Sequence, residues 1–505
     1  MLLSKYNLKN IVSQEVVVPD RNLFDLPERV LQFGTGVLLR GLPDYFIDKA
    51  NKQGLFNGRI VVVKSTETND TGIFEKQDGL YTICEKGFEN CILKEENIIS
   101  AAISRVLSAK TEWNKILECA HNPQLQVIIS NTTEAGIELV NDDILSYPPV
   151  SFPGKLLAFL YERFKAFAGS SQCGMVIVPT ELIPDNGVKL ESIVTELAYL
   201  NGLDESFIDW LENHNHFCNS LVDRIVPGKP DTTVKSAIEK KLGYSDELLI
   251  ICEPYRLWAI EGGKEIEQIL SFARVNSGVV VTKDIDLFRE LKLRLLNGTH
   301  TLSCGIAFLA GFHSVSESMD NQAFSIYLGA LMDKEISRAI PYDINPRLAS
   351  EFALKVMDRF RNPAIRHQWI SISFQFTSKM KMRVLPVLLQ FYTRFNKVPE
   401  NIALGFAAYL LFMKVEKEEA GHYFGKYNGK FYPVKDDKAG YFYEKWDTMA
   451  QEPLAASVLK DIALWGFDLG TLPGFIPAVQ KYMTEILELG MTNILQLLTQ
   501  KKLLT

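Results

Sequence analysis

The chain has 505 residues, more than one hydrophobic core sustains, so two or more domains are expected. Hydrophobic residues at 47% and charged residues at 23% describe an ordinary globular protein, and a formal net charge of -7 without a basic tail excludes a nucleic-acid partner. No apolar run reaches the ~18 residues of a membrane span, and the N-terminus lacks the apolar core of a signal peptide. The seven cysteines, odd in number and without a Cys-x-x-Cys pair, suit a reducing cytoplasm. The expectation is a cytoplasmic protein with no membrane partner.

The first strong pattern is Arg29-Val-Leu-Gln-Phe33-Gly34-Thr35-Gly36-Val37-Leu-Leu39-Arg40-Gly41. A short apolar strand runs into a Gly-x-Gly turn and then into a helix predicted from Leu42 to Gln53. That is the opening of a dinucleotide-binding βαβ unit. Gly34 permits the tight turn, Gly36 lets the backbone approach a pyrophosphate, and the following helix offers free N–H groups. Leu39 stands where the usual fingerprint has a third glycine. A second strand, Arg59 to Ser65, ends with Lys64, Ser65 and Thr66 in the corner where an acid ordinarily binds the ribose, with Glu67 just beyond. Glu67 holding the ribose and Lys64 relaxing discrimination against a 2′-phosphate both stay open. The strand Gln126–Ser130 ends in Asn131-Thr132-Thr-Glu134-Ala-Gly136. Those side chains either reach a bound ligand beyond the strand end or cap a helix.

Gly174–Pro179 is a further buried strand, followed by Leu182 and Asn186-Gly187. Val222-Asp223-Arg224-Ile225 reads either as a structural Asp–Arg pair or as part of a polar site. From about residue 283 strand signals fade. Helical periodicity takes over at roughly 284–311, 321–334, 347–361, 383–395 and 401–415, which predicts an all-α second domain. The expected division is 1–280 and 281–505. On the first of these helices, at about 100° per residue, Lys292, Asn297 and His300 fall within an arc of roughly 140°. An amine, an amide and an imidazole on one face suit proton transfer at a carbonyl or alcohol. Arg366-His367 and Thr377-Ser-Lys379-Met-Lys381-Met-Arg383 then supply a group of cations, either a solvated edge or a carboxylate clamp. Gly421-His422 opens a surface loop or hairpin. No His or Cys spacing builds a metal site, and none is predicted.

Together, Gly34-x-Gly36-x-x-x-Arg40, Thr132-x-Glu134-x-Gly136, Val222-Asp223-Arg224-Ile225 and Lys292-x-x-x-x-Asn297-x-x-His300 resemble the mannitol dehydrogenase family, the long-chain polyol and sugar-acid dehydrogenases. The resemblance implies a Rossmann-like domain followed by a helical one and NAD as cofactor. It implies Lys292 as general acid and base, with Asn297 and His300 polarising the substrate carbonyl. It places Phe33, Gly34, Thr35, Gly36, Val37, Arg40, Glu67, Asn131, Thr132 and Glu134 around the cofactor. Asn186, Asp223, Lys379 and Arg383 would then face the substrate. The family's polyol enzymes carry an oxygen-binding Asn where this chain has Leu182, which points to a different substrate. A cofactor-binding regulatory protein without catalysis is the reading from another class.

Overall fold

A computed structural model describes residues 1–65, 71–132, 136–365 and 367–503. The chain forms two compact units. The first comprises Met1–Lys86 and Leu93–Ile285, the second Gly87–Ile92 and Asp286–Thr505. The boundary therefore lies five residues beyond the one expected at 280, because the segment after strand Val279–Thr282 stays with the first unit as far as Ile285.

The first unit is built on a six-stranded parallel sheet. Its strands are β1 (Glu28–Phe33), β2 (Arg59–Lys64), β5 (Ile103–Ser108), β6 (Val127–Ser130), β7 (Val176–Pro179) and β8 (His216–Phe217). Between β2 and β5 comes a hairpin of β3 (Tyr81–Glu89) and β4 (Ile92–Ser100). The sheet order is β5-β2-β1-β6-β7-β8, every pairing parallel. Taken in chain order within the sheet this is 3-2-1-4-5-6, the doubly wound arrangement. The strands read as continuous apolar runs because both faces are covered. Alternate residues then supply two separate cores. Val30, Ile60, Val62, Val127, Ile129, Val176 and Val178 enter one. Leu31, Phe33, Val61, Val63, Ile128 and Ile177 enter the other, against the helices Ala109–Glu118, Phe152–Ala166, Asn186–Leu200 and Glu205–His214. A one-residue slip in any of these strands would exchange its contributions to the two cores, so register is tightly fixed.

The second unit is mostly helical. Its long helices include Thr299–Leu309, Pro346–Arg361, Leu385–Phe395, Glu400–Phe412 and Phe475–Leu489. The helices Thr299–Leu309 and Glu400–Phe412 meet at reciprocal glycines. A Cβ on Gly305 would lie 2.8 Å from the carbonyl oxygen of Ala408, and one on Gly405 would lie 2.6 Å from Leu302 Cδ2. Buried Glu335 fixes the start of the second of these helices, accepting from the backbone N–H of Asn401 at 2.9 Å and of Ile402 at 2.8 Å. The glycine contact in turn seats this helix against Thr299–Leu309, which carries His300. The expectation of an all-α domain is corrected in one place. Val415–Glu419, His422–Tyr427 and Lys430–Pro433 form a three-stranded antiparallel sheet, so of the loop or hairpin expected at Gly421 it is the hairpin that forms, as the first turn of a meander. No described helix is long and apolar enough to cross a membrane.

Candidate active site

In the first unit the strand order reverses between β1 and β6, and open α/β sheets bind ligands in the crevice beyond the carboxyl ends at such a point. The N–H of Gly34 donates to Val63 O (3.0 Å), and that of Asn131 to Phe33 O (3.1 Å), so the end of β1 is pinned between its two neighbours. Gly34 has φ +127°, and a Cβ there would lie 2.8 Å from Leu39 Cδ1 and 3.1 Å from Asn131 O. Leu39 explains the missing third glycine: its fully buried side chain reaches over Gly34, and the space is closed by Leu39 rather than by helix backbone. Gly36 is different. Nothing lies within 4 Å of where its Cβ would be, and it caps the short helix Val37–Gly41. Backbone at Gly36 thus faces open space with N–H groups beyond it, which fits the approach of a pyrophosphate.

Across the crevice, buried Glu181 organises the end of β6. It accepts from Ser130 Oγ (3.1 Å), from the Thr132 N–H (2.7 Å) and from Thr132 Oγ1 (3.0 Å). Asn131 Nδ2 donates to Thr180 O and Oγ1 at 3.1 and 3.0 Å, so its amide points toward β7. Glu181 is absent from the sequence-level reading. Its only local sign was a carboxylate immediately after a strand end, in Pro179-Thr180-Glu181.

In the second unit Lys292 to Gly298 form a π-helical segment between the α-helices Asp286–Leu291 and Thr299–Leu309. An i→i+5 turn advances each residue by less than the α-helical angle, about 85° against about 100°. Lys292, Asn297 and His300 therefore share an arc of roughly 80° instead of the 140° expected for a regular helix. A second π-helical segment, Met380–Val384, carries Lys381 and Arg383. Arg294 ties the two together: Nη1 donates to Met382 O (2.6 Å) and Arg383 O (3.2 Å), while Nε and Nη2 are held by Glu290 at 2.8 and 3.1 Å. Thr301 Oγ1 donates to Asn297 O at 2.7 Å and accepts from Arg383 Nη1 at 3.3 Å.

His300 stacks on Phe360, 4.1 Å between centroids and 11° between planes, with His367 and Trp369 edge-on. Loss of solvent around the ring, then His367 and the positive neighbours Arg359, Arg383 and Lys379, hold the imidazole well below its ordinary 6.5. It is neutral at physiological pH and can donate a hydrogen bond without carrying charge. The Asn297 amide is half-buried, and its side chain makes no hydrogen bond among the described residues. Burial, then Arg383, lowers the Lys379 amine, which donates to Ile372 O at 2.9 Å.

Residues 28–271 match the mannitol dehydrogenase Rossmann domain and residues 284–487 the mannitol dehydrogenase C-terminal domain. An altronate oxidoreductase of Bacillus subtilis (strain 168) is 36% identical over 486 residues, 94% of this chain and 97% of that protein. The chain belongs to the mannitol dehydrogenase family. The altronate oxidoreductase of Shigella flexneri is likewise 36% identical, over 92% of this chain and 95% of its own length. Among solved structures, D-sorbitol dehydrogenase in substrate-free form has a TM-score of 0.75 at 19% identity, covering 97% of this chain and 99% of that one. The mannitol 2-dehydrogenase of Pseudomonas fluorescens, a ternary complex with NAD and D-mannitol, has a TM-score of 0.64 at 23% identity, covering 99% and 100%. These two likenesses show the fold. As a family member the chain is an oxidoreductase acting on CH–OH groups.

Several sequence-level assignments change. Phe33 is fully buried and packs on Phe152 at 5.2 Å, so only its backbone belongs to the turn. Val37 packs partly into the core, and Thr35 is half-buried at the turn. Arg40 points inward: its guanidinium lies over Tyr81 (5.3 Å) and Phe74 (5.9 Å) and donates to Leu248 O. Asn186 is 1% exposed. Its Nδ2 donates to Pro179 O, Glu181 O and Ser220 O, and its Oδ1 accepts from Ser220 N, so its amide is spent on the backbone. Asp223 is buried at the end of a strand, Ser220–Asp223. Arg224 beside it meets Glu85 at 2.5 Å, a buried partner 139 residues earlier in the chain that no local pattern reveals. Glu67, Glu134 and Arg366 lie outside the described residues.

Proposed function

We propose that this enzyme interconverts D-altronate and D-tagaturonate with NAD(H), as a step of hexuronate breakdown. The observation that carries the reading is the π-helical segment that collects Lys292, Asn297 and His300 on one narrow face, with Arg383 one hydrogen bond from Thr301. The 36% identity to altronate oxidoreductases supports the substrate class. The Gly34–Gly36 turn, with its open space over Gly36, fits a dinucleotide, which would be held by the backbone of residues 34–37 and by the β6 end at Asn131 and Thr132.

When bound, the reduced nicotinamide supplies the hydride. The chain's own residues do the rest. The Asn297 amide and the neutral His300 imidazole donate hydrogen bonds to the keto oxygen and stabilise the negative charge that develops there. Lys292 delivers the proton that converts the alkoxide to the alcohol, and takes it back in the oxidative direction. Because His300 is uncharged, it polarises without competing with Lys292 as acid. A guanidinium beside this face, that of Arg383, attracts a sugar acid over a neutral sugar.

The test is an NADH-oxidation screen of the purified protein against tagaturonate, fructuronate and fructose. Tagaturonate should give the highest kcat/KM. A preference for fructose, or no turnover of any of the three, overturns the reading.

A further inference from the structure

Resting on that reading, we propose that Arg383 is the residue that reads the substrate carboxylate, and that Arg294 is the positioning residue that sets its height against the catalytic face. Three cations stand in this segment, and the structure separates them. Lys381 is exposed. Lys379 is anchored by the Ile372 carbonyl and reaches over Phe374. Arg383 is half-buried, its Nε is shut off from solvent, and that Nε makes no hydrogen bond among the described residues. Its Nη1 makes a long 3.3 Å bond to Thr301 Oγ1. A desolvated guanidinium N–H without an acceptor costs free energy unless something takes it. A carboxylate accepts from Nε and an Nη together, in the two-pronged geometry that a lysine lacks.

The placement also suits a six-carbon keto acid. Its carboxylate lies at the far end of the chain from the keto group, so its partner must stand apart from the imidazole that polarises the carbonyl. Arg383 is tied to that face through one intermediate residue: its Nη1 donates to Thr301 Oγ1, and Thr301 in turn holds the Asn297 carbonyl. Arg294 fixes the distance between the two ends, because one guanidinium binds Met382 O and Arg383 O while sitting on the catalytic π-helical segment itself.

The experiment compares Arg383→Gln, Arg383→Lys, Lys379→Met and Arg294→Lys by the ratio of kcat/KM for tagaturonate to that for fructose. Loss of a charge-assisted pair in a desolvated site predicts a fall of about 100-fold in this ratio for Arg383→Gln. Arg383→Lys, which keeps charge and stem, should recover only part of it. Added guanidinium chloride should partly restore tagaturonate turnover in Arg383→Gln, which repair of a folding defect would not do. Lys379→Met should lower both substrates together and leave the ratio unchanged. Arg294→Lys should raise KM for tagaturonate more than for fructose. If the ratio is unchanged in both Arg383 variants, or falls in Lys379→Met instead, the assignment to Arg383 is wrong while the proposed function stands. If the unaltered enzyme itself prefers fructose, it is the proposed function that fails.

Discussion

Replacing Gly34 with alanine tests the cofactor turn where its geometry is tightest. The residue has φ +127°, a region that costs an L-residue about 1–3 kcal/mol. The new methyl would also sit 2.8 Å from Leu39 Cδ1 and 3.1 Å from the carbonyl oxygen of Asn131. Neither neighbour yields freely, since Leu39 is fully buried and the Asn131 backbone is pinned to β1. Such overpacking adds about 1–3 kcal/mol, for a total of roughly 2–6 kcal/mol. Gly34→Ala should therefore lower the melting temperature by roughly 5–20 °C and weaken NADH binding in a fluorescence titration. The two contributions separate in a double-mutant cycle. Leu39→Ala alone opens a cavity and destabilises, but combined with Gly34→Ala it removes the 2.8 Å contact, so the pair should be more stable than the sum by about 1–3 kcal/mol. Additivity within about 0.5 kcal/mol, together with unchanged NADH affinity, would refute the packing argument.

Lys292→Ala should lower the chemical rate by at least about 100-fold while NADH titration gives the same affinity, and near-normal turnover at neutral pH would remove Lys292 from its role. The depressed His300 predicts that kcat/KM shows no acid limb near pH 6.5; a limb there that vanishes in His300→Asn would contradict the neutral-donor role. Burial pushes the Asp44 carboxyl up to about 8, from 3.8. The folded state then holds a proton that the unfolded chain has released between about pH 4 and pH 8, so stability falls as pH rises through that window. Asp44→Asn should flatten this slope in urea unfolding at pH 5 and pH 8, and an equal slope in both proteins would show that another group carries it.

The sheet was legible because strands covered on both faces must be apolar throughout, and runs such as Arg59–Lys64 and Val127–Ser130 admit few other readings. Gly34 was legible because a strand turning so tightly needs a residue without a side chain there, and Gly36 because an uncovered backbone after such a turn marks the dinucleotide motif. What local sequence did not carry was the direction of polar side chains. Arg40 and Asn186 occupy motif positions, yet Arg40 is turned by Leu248 and Tyr81, and Asn186 by Ser220, partners remote in the chain. Glu85, Glu181 and Arg294 escaped notice for the same reason: each acts by closing a buried network whose other members no pattern reveals. The sheet of the second unit had a readable turn, Asn428-Gly429 at φ 47° and 77°, flanked by strands too polar to stand out from a helical background.

The π-helical segment at Lys292–Gly298 bears on how functional motifs are counted. On an α-helix positions five and eight on stand about 140° and 80° round, whereas four and seven stay within about 40°. The wide turn absorbs one residue, so Lys292, Asn297 and His300 act as a four-and-seven triad with a surplus member between them. A related chain without that surplus would present the same three groups at a shorter interval, and a search by fixed spacing would pass over it. Within such a family, the conserved quantity to look for is helical phase, with the residue count free to change by one.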